Sequence, residues 1–168
     1  MTAILPGSFD PVTLGHLDLV RRGSLLFDKI IIAILENHAK TPLFTVDERL
    51  EMLRKETSDI KGIEIEIFSG LLAEYAKKRG VKIILRGMRS ETDAAYEIPM
   101  AQANKTINDE LETFFLISDS SYGFVSSALI REISVLGKKT DFNDKILEKW
   151  VPASVLTALR KKQSCDIM

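Results

Sequence analysis

Short apolar runs with strand character alternate with segments of helical period along most of the 168-residue chain. We predict strands at Thr2–Leu5, Lys29–Leu35, Ile63–Phe68, Val81–Leu85 and Thr113–Ile117. The run at 29–35 is apolar on both faces, which is typical of parallel strands covered by helices on both sides. Regular alternation of strands and helices indicates β-α-β units. The pattern therefore predicts an α/β fold, a doubly wound (Rossmann-like) five-stranded parallel sheet with helices on both faces.

Helical spacing of apolar residues between these strands predicts the connecting helices. They fall at Gly15–Phe27, at 45 to about 57, at Leu71–Arg79, Glu91–Asn108 and Ser127–Leu136, with one or two more after Asn143. Thr45 and Glu48 have the spacing of a capping box at a helix start, and Gly80 is a typical helix stop. Pro99 removes a backbone donor, so we expect a kink or break there.

Length and composition fit one compact domain, which we place at residues 1–162, followed by a polar C-terminal tail at 163–168. The single cysteine, Cys165, excludes an internal disulfide and favours a reducing compartment. Residues 1–6 lack the features of a signal peptide, and no apolar stretch approaches the roughly 18 residues of a membrane span. We therefore expect a cytoplasmic protein that does not bind membranes.

The chain carries 23 basic and 24 acidic residues, for a net charge of -1. Overall electrostatics therefore offers no attraction to nucleic acids or membranes, and we expect no nucleic-acid partner. Any anionic ligand must instead be held by local groups. Ligands of doubly wound sheets bind beyond the carboxyl ends of the strands, so the residues that follow strands are the candidates.

The first candidate segment, Gly7 to His16, follows the first strand and opens the first helix. Glycine lets the backbone approach a phosphate closely, and a helix start presents free amides. His16 lies in the first turn, where its ring can point at the same phosphate. The glycine spacing matches neither a P-loop nor a dinucleotide-binding motif. On these residues alone, a tight turn with a surface histidine explains the segment equally well.

Three further segments carry charge or hydroxyl groups near strand ends. Arg86 and Arg89 flank Gly87 and Met88 after the fourth strand and form a plausible clamp for phosphates, with structural arginines as the alternative. Lys40 follows the second strand, where a solvated lysine is the ordinary interpretation. Ser127 and Arg131 share a helix face after the fifth strand, and a capped helix would account for the serine.

The segment Pro6–His16 resembles, without a gap, the opening Pro-Gly-Ser/Thr-Phe-Asp-Pro-x-Thr-x-Gly-His of bacterial phosphopantetheine adenylyltransferases. This family belongs to the nucleotidyltransferase superfamily with a Thr/His-x-Gly-His motif. The similarity continues through the other segments to about Lys161, and Ser126–Arg131 resembles the superfamily's Ile-Ser-Ser-x-x-x-Arg/Lys motif. Two departures are Ala128, where many relatives have a third serine, and Pro99, where glutamine is frequent.

The resemblance implies transfer of the adenylyl group of ATP to 4′-phosphopantetheine, giving dephospho-coenzyme A and pyrophosphate, by a homohexamer. It implies catalysis by His16, as transition-state stabiliser, with Lys40 and Arg89. The implied ATP-binding residues are Ser8, Phe9, His16, Gly87, Met88, Arg89, Glu97, Tyr122, Gly123, Phe124, Val125, Ser126, Ser127 and Ala128. The implied acceptor-binding residues are Ser8, Lys40, Leu72 and Arg86.

The sequence contains no nucleophile with a partner base in these segments, so we expect direct in-line attack without a covalent intermediate. It also contains no metal-site spacing of Asp, Glu and His, so we expect Mg²⁺ to arrive with ATP and to be held by its phosphates.

One alternative function is that of an adenylyl- or cytidylyltransferase for another small phosphorylated acceptor, such as nicotinamide mononucleotide. Lys40 together with the block 86–97 disfavours it. A non-catalytic nucleotide-binding domain is the other alternative, and pyrophosphate release would exclude it.

Overall fold

A parallel β-sheet forms the centre of the computed structural model, which describes residues 1–36, 41–136 and 141–165. Within these ranges the strands are β1 Thr2–Gly7, β2 Lys29–Leu35, β3 Ile63–Phe68, β4 Ile83–Met88 and β5 Glu112–Ile117. Their order across the sheet is β3-β2-β1-β4-β5, and every neighbouring pair is parallel. The predicted doubly wound, five-stranded parallel sheet is confirmed.

Helices connect these strands and follow the last of them. Within the described ranges they are α1 Leu14–Ser24, α2 Val46–Glu56, α3 Leu72–Arg79, α4 Glu91–Ile107, α5 Ser127–Leu136, α6 Asp141–Leu147 and α7 Ala153–Cys165, with a short 3₁₀ turn at Ser120–Tyr122. The predicted capping box is present, because Thr45 Oγ1 accepts from Glu48 N and Glu48 Oε2 accepts from Thr45 N. The backbone of α7 continues into the segment expected as a tail.

The fourth strand lies later in the chain than its apolar run predicts. Val81 N donates to Ala76 O in the turn after α3, so this residue is still part of the helix end. Pairing with β5 then continues through Arg86 and Met88, which face Phe115 and Ile117 across the ladder. The prediction that the strand ends at Leu85 is therefore wrong, and the candidate clamp begins inside the strand.

Helix α4 runs through Pro99 without a break, so the break allowed for at this position does not occur. Proline leaves the carbonyl of Ala95 without its usual helical donor. Both residues are exposed, so water can hydrate that carbonyl. None of the described helices is long and apolar enough to cross a membrane.

Helices cover both faces of the sheet. On one face, buried side chains of β1, β2 and β4 pack with those of α1, α2, α5 and α7, including Leu17, Leu53, Ile130 and Val155. On the other face, Ile4, Ile31 and Ile84 pack with Ala73 and Ala76 of α3. The chain moves from β1 outward to β2 and β3 and then returns to β4 on the other side of β1. The switch point of the sheet therefore lies between the carboxyl ends of β1 and β4.

Candidate active site at the switch point

Two cavities open at the carboxyl ends of β1 and β4. The larger has a volume of about 740 Å³ and the smaller about 260 Å³. Both are lined by Pro6, Gly7, Ser8, Arg86 and Glu97. Two ligands bound in these cavities would therefore meet beside the loop after β1 and the end of β4.

The loop after β1 is shaped by a close approach between Gly7 and Phe9. A Cβ atom on Gly7 would lie 2.9 Å from the buried ring of Phe9, so a larger residue would displace that ring. Phe9 itself has a φ of 49°, a left-handed conformation that side chains rarely adopt. The ring then contacts His16 edge-on, at 5.0 Å between centroids. The strained turn thus brings the backbone of Ser8 and the imidazole of His16 to one cavity wall.

His16 takes part in the cap of α1, in the place where a capping box usually has an acidic residue. Its main-chain amide donates to Thr13 Oγ1, and its Nδ1 accepts from the main-chain amide of Thr13 at 3.0 Å. Because Nδ1 accepts a hydrogen bond, the neutral ring carries its proton on Nε2. The ring lines the smaller cavity. The histidine therefore offers this cavity a fixed N–H donor.

The surroundings of His16 oppose its protonation. Burial, followed by the nearby guanidinium groups of Arg89 and Arg86, lowers the pKa of His16 from 6.5 to about 4. The imidazole is therefore neutral at pH 7. A neutral ring held in one tautomer suits hydrogen bonding to a phosphate oxygen rather than general acid chemistry by an imidazolium.

Two arginine–carboxylate forks hold β4 against α4. Arg86 binds Glu97 through two nitrogens, with Nε 2.8 Å from Oε2, and its Nη1 donates to the carbonyl of Pro6 at 2.7 Å. Arg89 binds Asp93 through Nε and Nη2 at 2.8 and 2.9 Å. The hydrogen bond from Arg89 also lowers the pKa of Asp93. Bidentate pairing fixes both guanidinium planes at the cavity walls.

The loop before α5 is joined to this arrangement. Arg89 Nη1 donates to the carbonyl of Val125 at 2.9 Å, and Ser127 Oγ donates to the carbonyl of Pro11 at 2.8 Å. Ser126 Oγ accepts from Leu129 N and so caps the start of α5. The smaller cavity is therefore bounded by groups that follow β1, β4 and β5.

Comparison with known proteins supports one family. A model described as cytidylyltransferase-like matches residues 4–133. The phosphopantetheine adenylyltransferase of Caldanaerobacter subterraneus subsp. tengcongensis is 46% identical over 160 residues, which cover 95% of this chain and 96% of that protein. The phosphopantetheine adenylyltransferase of Dictyoglomus turgidum is 50% identical over 135 residues, covering 80% and 84%. The chain belongs to the phosphopantetheine adenylyltransferase family.

Solved structures share the fold at lower identity. The nicotinic acid mononucleotide adenylyltransferase of Plasmodium falciparum, complexed with NaAD, has a TM-score of 0.69 and 16% identity. The match covers 99% of this chain and 98% of that one. At this identity the likeness shows the common Rossmann-like architecture alone.

The structure brings most of the residues implied by the family resemblance to the two cavities. The smaller cavity is lined by Ser8, Phe9, His16, Gly87, Arg89, Glu97, Tyr122, Val125, Ser126 and Ser127. The larger is lined by Ser8, Leu72 and Arg86. Met88, Gly123, Phe124 and Ala128 line neither cavity, and Lys40 lies outside the described residues. The individual binding roles stay predictions.

Two cavity residues were missed as candidates by the sequence reasoning. The carboxylate of Asp10 is buried and accepts from the amides of Leu43 and Phe44 at 3.0 and 2.9 Å, which ties the loop before α2 to the loop after β1. Arg49 is a buried arginine in α2. A signal for it exists, because Arg49 shares the apolar helix face of Met52 and Leu53, where a charged residue is unusual.

The described residues contain no group of three or more His, Cys, Asp or Glu side chains placed to hold a metal ion. The nearest acids to the arginine forks, Asp93 and Glu97, already bind guanidinium groups.

The lowered pKa of His16 predicts that its ring does not titrate between pH 5 and 8 in the ligand-free protein. An NMR titration should give a pKa near 4, with the His16 signal identified by its loss in His16→Asn. The unfolded chain protonates this histidine near 6.5, so its contribution to the free energy of unfolding should be lost as pH falls from about 6.5 to 4. A measured pKa of 6 or above would contradict the assignment of a neutral ring.

Proposed function

We propose that this chain transfers the adenylyl group of ATP to 4′-phosphopantetheine, giving dephospho-coenzyme A and pyrophosphate in coenzyme A biosynthesis. The observation that carries the proposal is the pair of cavities that meet at Ser8, Arg86 and Glu97. ATP binds in the smaller cavity and the acceptor in the larger. The acceptor phosphate then lies where it can attack the α-phosphorus of ATP in line.

His16 and the start of α1 stabilise the transferring phosphate. In the first turn of α1, Leu14 N donates to the carbonyl of Trp150, and His16 N donates to Thr13 Oγ1, so these two amides are occupied. Gly15 N has no hydrogen-bond partner within the described residues, and Gly15 lines the smaller cavity. Its amide and Nε2–H of His16 supply fixed donors for the charge that develops on phosphate oxygens.

Arg86 and Arg89 act mainly by holding N–H donors in fixed positions. A guanidinium has five N–H donors, and Arg86 and Arg89 each use three of them within the protein. Glu97 and Asp93 balance their charges, so the remaining N–H groups attract phosphates by directed hydrogen bonds more than by net charge. Such preorganisation keeps the two substrates in reacting geometry, which is the main protein contribution to phosphoryl-type transfer.

The larger cavity suits an extended arm that ends in a phosphate. Its walls include apolar side chains from several elements, namely Leu35, Phe68, Leu72, Ile84 and Met100. Asn104 and Thr113 add polar groups along the same cavity. Amides of a pantetheine arm can pair with such groups, whereas a nucleoside would leave them unpaired. The acceptor phosphate lies at the end of the cavity that Arg86 and Ser8 share with the ATP site.

Mg²⁺ held by the phosphates of ATP would neutralise charge on the triphosphate. No covalent enzyme intermediate is required, because the acceptor phosphate is itself the nucleophile.

We further propose that the reaction takes place in the cytoplasm. The single cysteine of the chain supports this proposal, because it allows no internal disulfide.

We also propose a homohexamer. Helix α4 carries no buried residue although it contains Tyr96, Ile98, Met100 and Ile107, which are 43–64% exposed. In β5, Phe114 and Ile117 are 50% and 65% exposed. Such exposed apolar side chains are typical of a surface that is covered in an oligomer, which supports the packing of α4 against other copies of the chain.

Sedimentation equilibrium should therefore give a mass six times the 18.8 kDa of one chain. The substitution Ile98→Glu should lower this mass, because a carboxylate on an apolar interface is left without a partner. A monomeric mass for the unmodified protein would contradict the hexamer and leave the assigned chemistry in place.

Replacing His16 by asparagine should lower kcat by about 10²–10³, the usual loss for one transition-state donor. The dissociation constant of ATP should change much less, since the ground state relies on the other phosphate contacts. Stopped assays at saturating substrates with parallel binding calorimetry measure both quantities. Near-normal kcat in this variant removes His16 from the mechanism.

The purified protein should convert ATP and 4′-phosphopantetheine to dephospho-coenzyme A and pyrophosphate in the presence of Mg²⁺. With nicotinamide mononucleotide, kcat/KM should be lower by about 10³ or more, because unpaired polar groups in the acceptor cavity give strong discrimination. A competition assay with both acceptors reads this ratio directly. Preferred formation of a dinucleotide would overturn the acceptor but retain adenylyl transfer, whereas no pyrophosphate with any acceptor would indicate a binding domain without activity.

A further inference from the structure

Arg49 lies on α2 and is only 4% exposed. Its Nη1 donates to the carbonyl of Ser8 at 2.8 Å, and its Nε donates to the carbonyl of Thr45 at 3.3 Å. No hydrogen bond of Nη2 is present within the described residues. Arg49 is one of the residues that line the larger cavity.

Three arginines line this cavity, and they differ in how their charges are balanced. Arg86 forms a bidentate ion pair with Glu97, and Arg131 Nη1 lies 3.6 Å from the carboxylate of Asp10. No carboxylate oxygen lies within 4.0 Å of the Arg49 guanidinium among the side chains described at 1–36, 41–136 and 144–162. Asp10, Glu36 and Glu97 line the same cavity, and none of their carboxylates lies within that distance of Arg49.

A buried charge without a counter-ion is strongly unfavourable, because burial removes its hydration, and an anion bound beside it would offset that cost. The two carbonyls bound by Arg49 satisfy some of its donors but leave its charge uncompensated. The same side chain holds the carbonyl of Ser8, next to the left-handed Phe9, at the point where both cavities meet. Arg49 is thus placed to act on an anion at this junction.

We propose that Arg49 is a specificity-determining residue for the phosphate of the acceptor. Its uncompensated charge favours a phosphorylated acceptor over the same molecule without phosphate, and its bond to Ser8 holds the loop against which that phosphate binds. The inference rests on the proposed function, in which the larger cavity takes the acceptor. If Arg49 served only to hold the Ser8 carbonyl in place, its hydrogen bond would be needed but its positive charge would not.

Three substitutions distinguish the effect of the positive charge of Arg49 from that of its hydrogen bond to the Ser8 carbonyl. Arg49→Gln keeps a donor for the Ser8 carbonyl but removes the charge, and Arg49→Lys keeps the charge but removes the planar fork. Arg54→Gln is the matched control, because it removes a charge from the exposed face of the same helix. Thermal unfolding of each variant reports the structural effect separately.

Binding calorimetry with 4′-phosphopantetheine and with unphosphorylated pantetheine, at saturating α,β-methylene-ATP, measures the preference for the phosphate. This preference should fall about tenfold or more in Arg49→Gln, remain within about threefold in Arg49→Lys, and be unchanged in Arg54→Gln. Affinity for ATP analogue alone should be nearly constant. An unchanged preference in Arg49→Gln, or an equal loss for both acceptors, overturns the proposal.

If Arg49→Gln does not fold, an NMR measurement on the unmodified protein tests whether Arg49 responds to the phosphate of the acceptor. The Nε–H signal of Arg49, identified by its loss in Arg49→Lys, should shift on addition of 4′-phosphopantetheine or inorganic phosphate and not on addition of pantetheine. A shift with inorganic phosphate when 4′-phosphopantetheine does not bind would reject the proposed acceptor while retaining the anion site. No shift with either phosphate compound rejects the role of Arg49.

Discussion

The adjacency of β1 and β4 at the centre of the sheet is the constraint on which the rest of the site depends. The chain builds β2 and β3 on one side of β1 and then crosses back, so the carboxyl end of β4 lies beside that of β1. The hydrogen bond from Arg86 to the carbonyl of Pro6 joins the two ends directly, across 80 residues of sequence. Without this crossover, the loop that carries Ser8 and the strand that carries Arg86 would have no common cavity.

Charge balance then decides what each side chain at the junction can do. Arg86 and Arg89 are held by carboxylates of α4, so their orientation is fixed before any ligand binds. Their positive charge also helps burial to keep His16 neutral, with its proton on Nε2. Arg49 differs, because its partners are carbonyls. Among the described residues, the site therefore combines the oriented donors of Arg86 and Arg89 with the uncompensated charge of Arg49.

The C-terminal segment around α7 stabilises the helices that carry site residues, although it does not line the cavities. The carbonyl of Trp150, just before α7, accepts from Leu14 N at the start of α1, and the indole contacts Phe124 edge-on. Lys162 of α7 binds Glu48 of α2 at 2.9 Å and lies over the ring of Phe44. The elements that carry His16 and Arg49 are thus held by the C-terminal part of the described chain, which supplies no lining residue of either cavity.

Local patterns in the sequence determined the strand and helix order, the capping box at Thr45, the segment 6–16 and through it the family. These features depend on residues only a few positions apart, so neighbouring side chains encode them. Tertiary structure alone decided that Glu97 pairs with Arg86, that Asp10 receives the amides before α2 and that Arg49 reaches Ser8. It also decided that α4 passes through Pro99 without a break. Such pairings join distant residues, and the crossover that brings them together is set by packing of the whole sheet rather than by any local pattern.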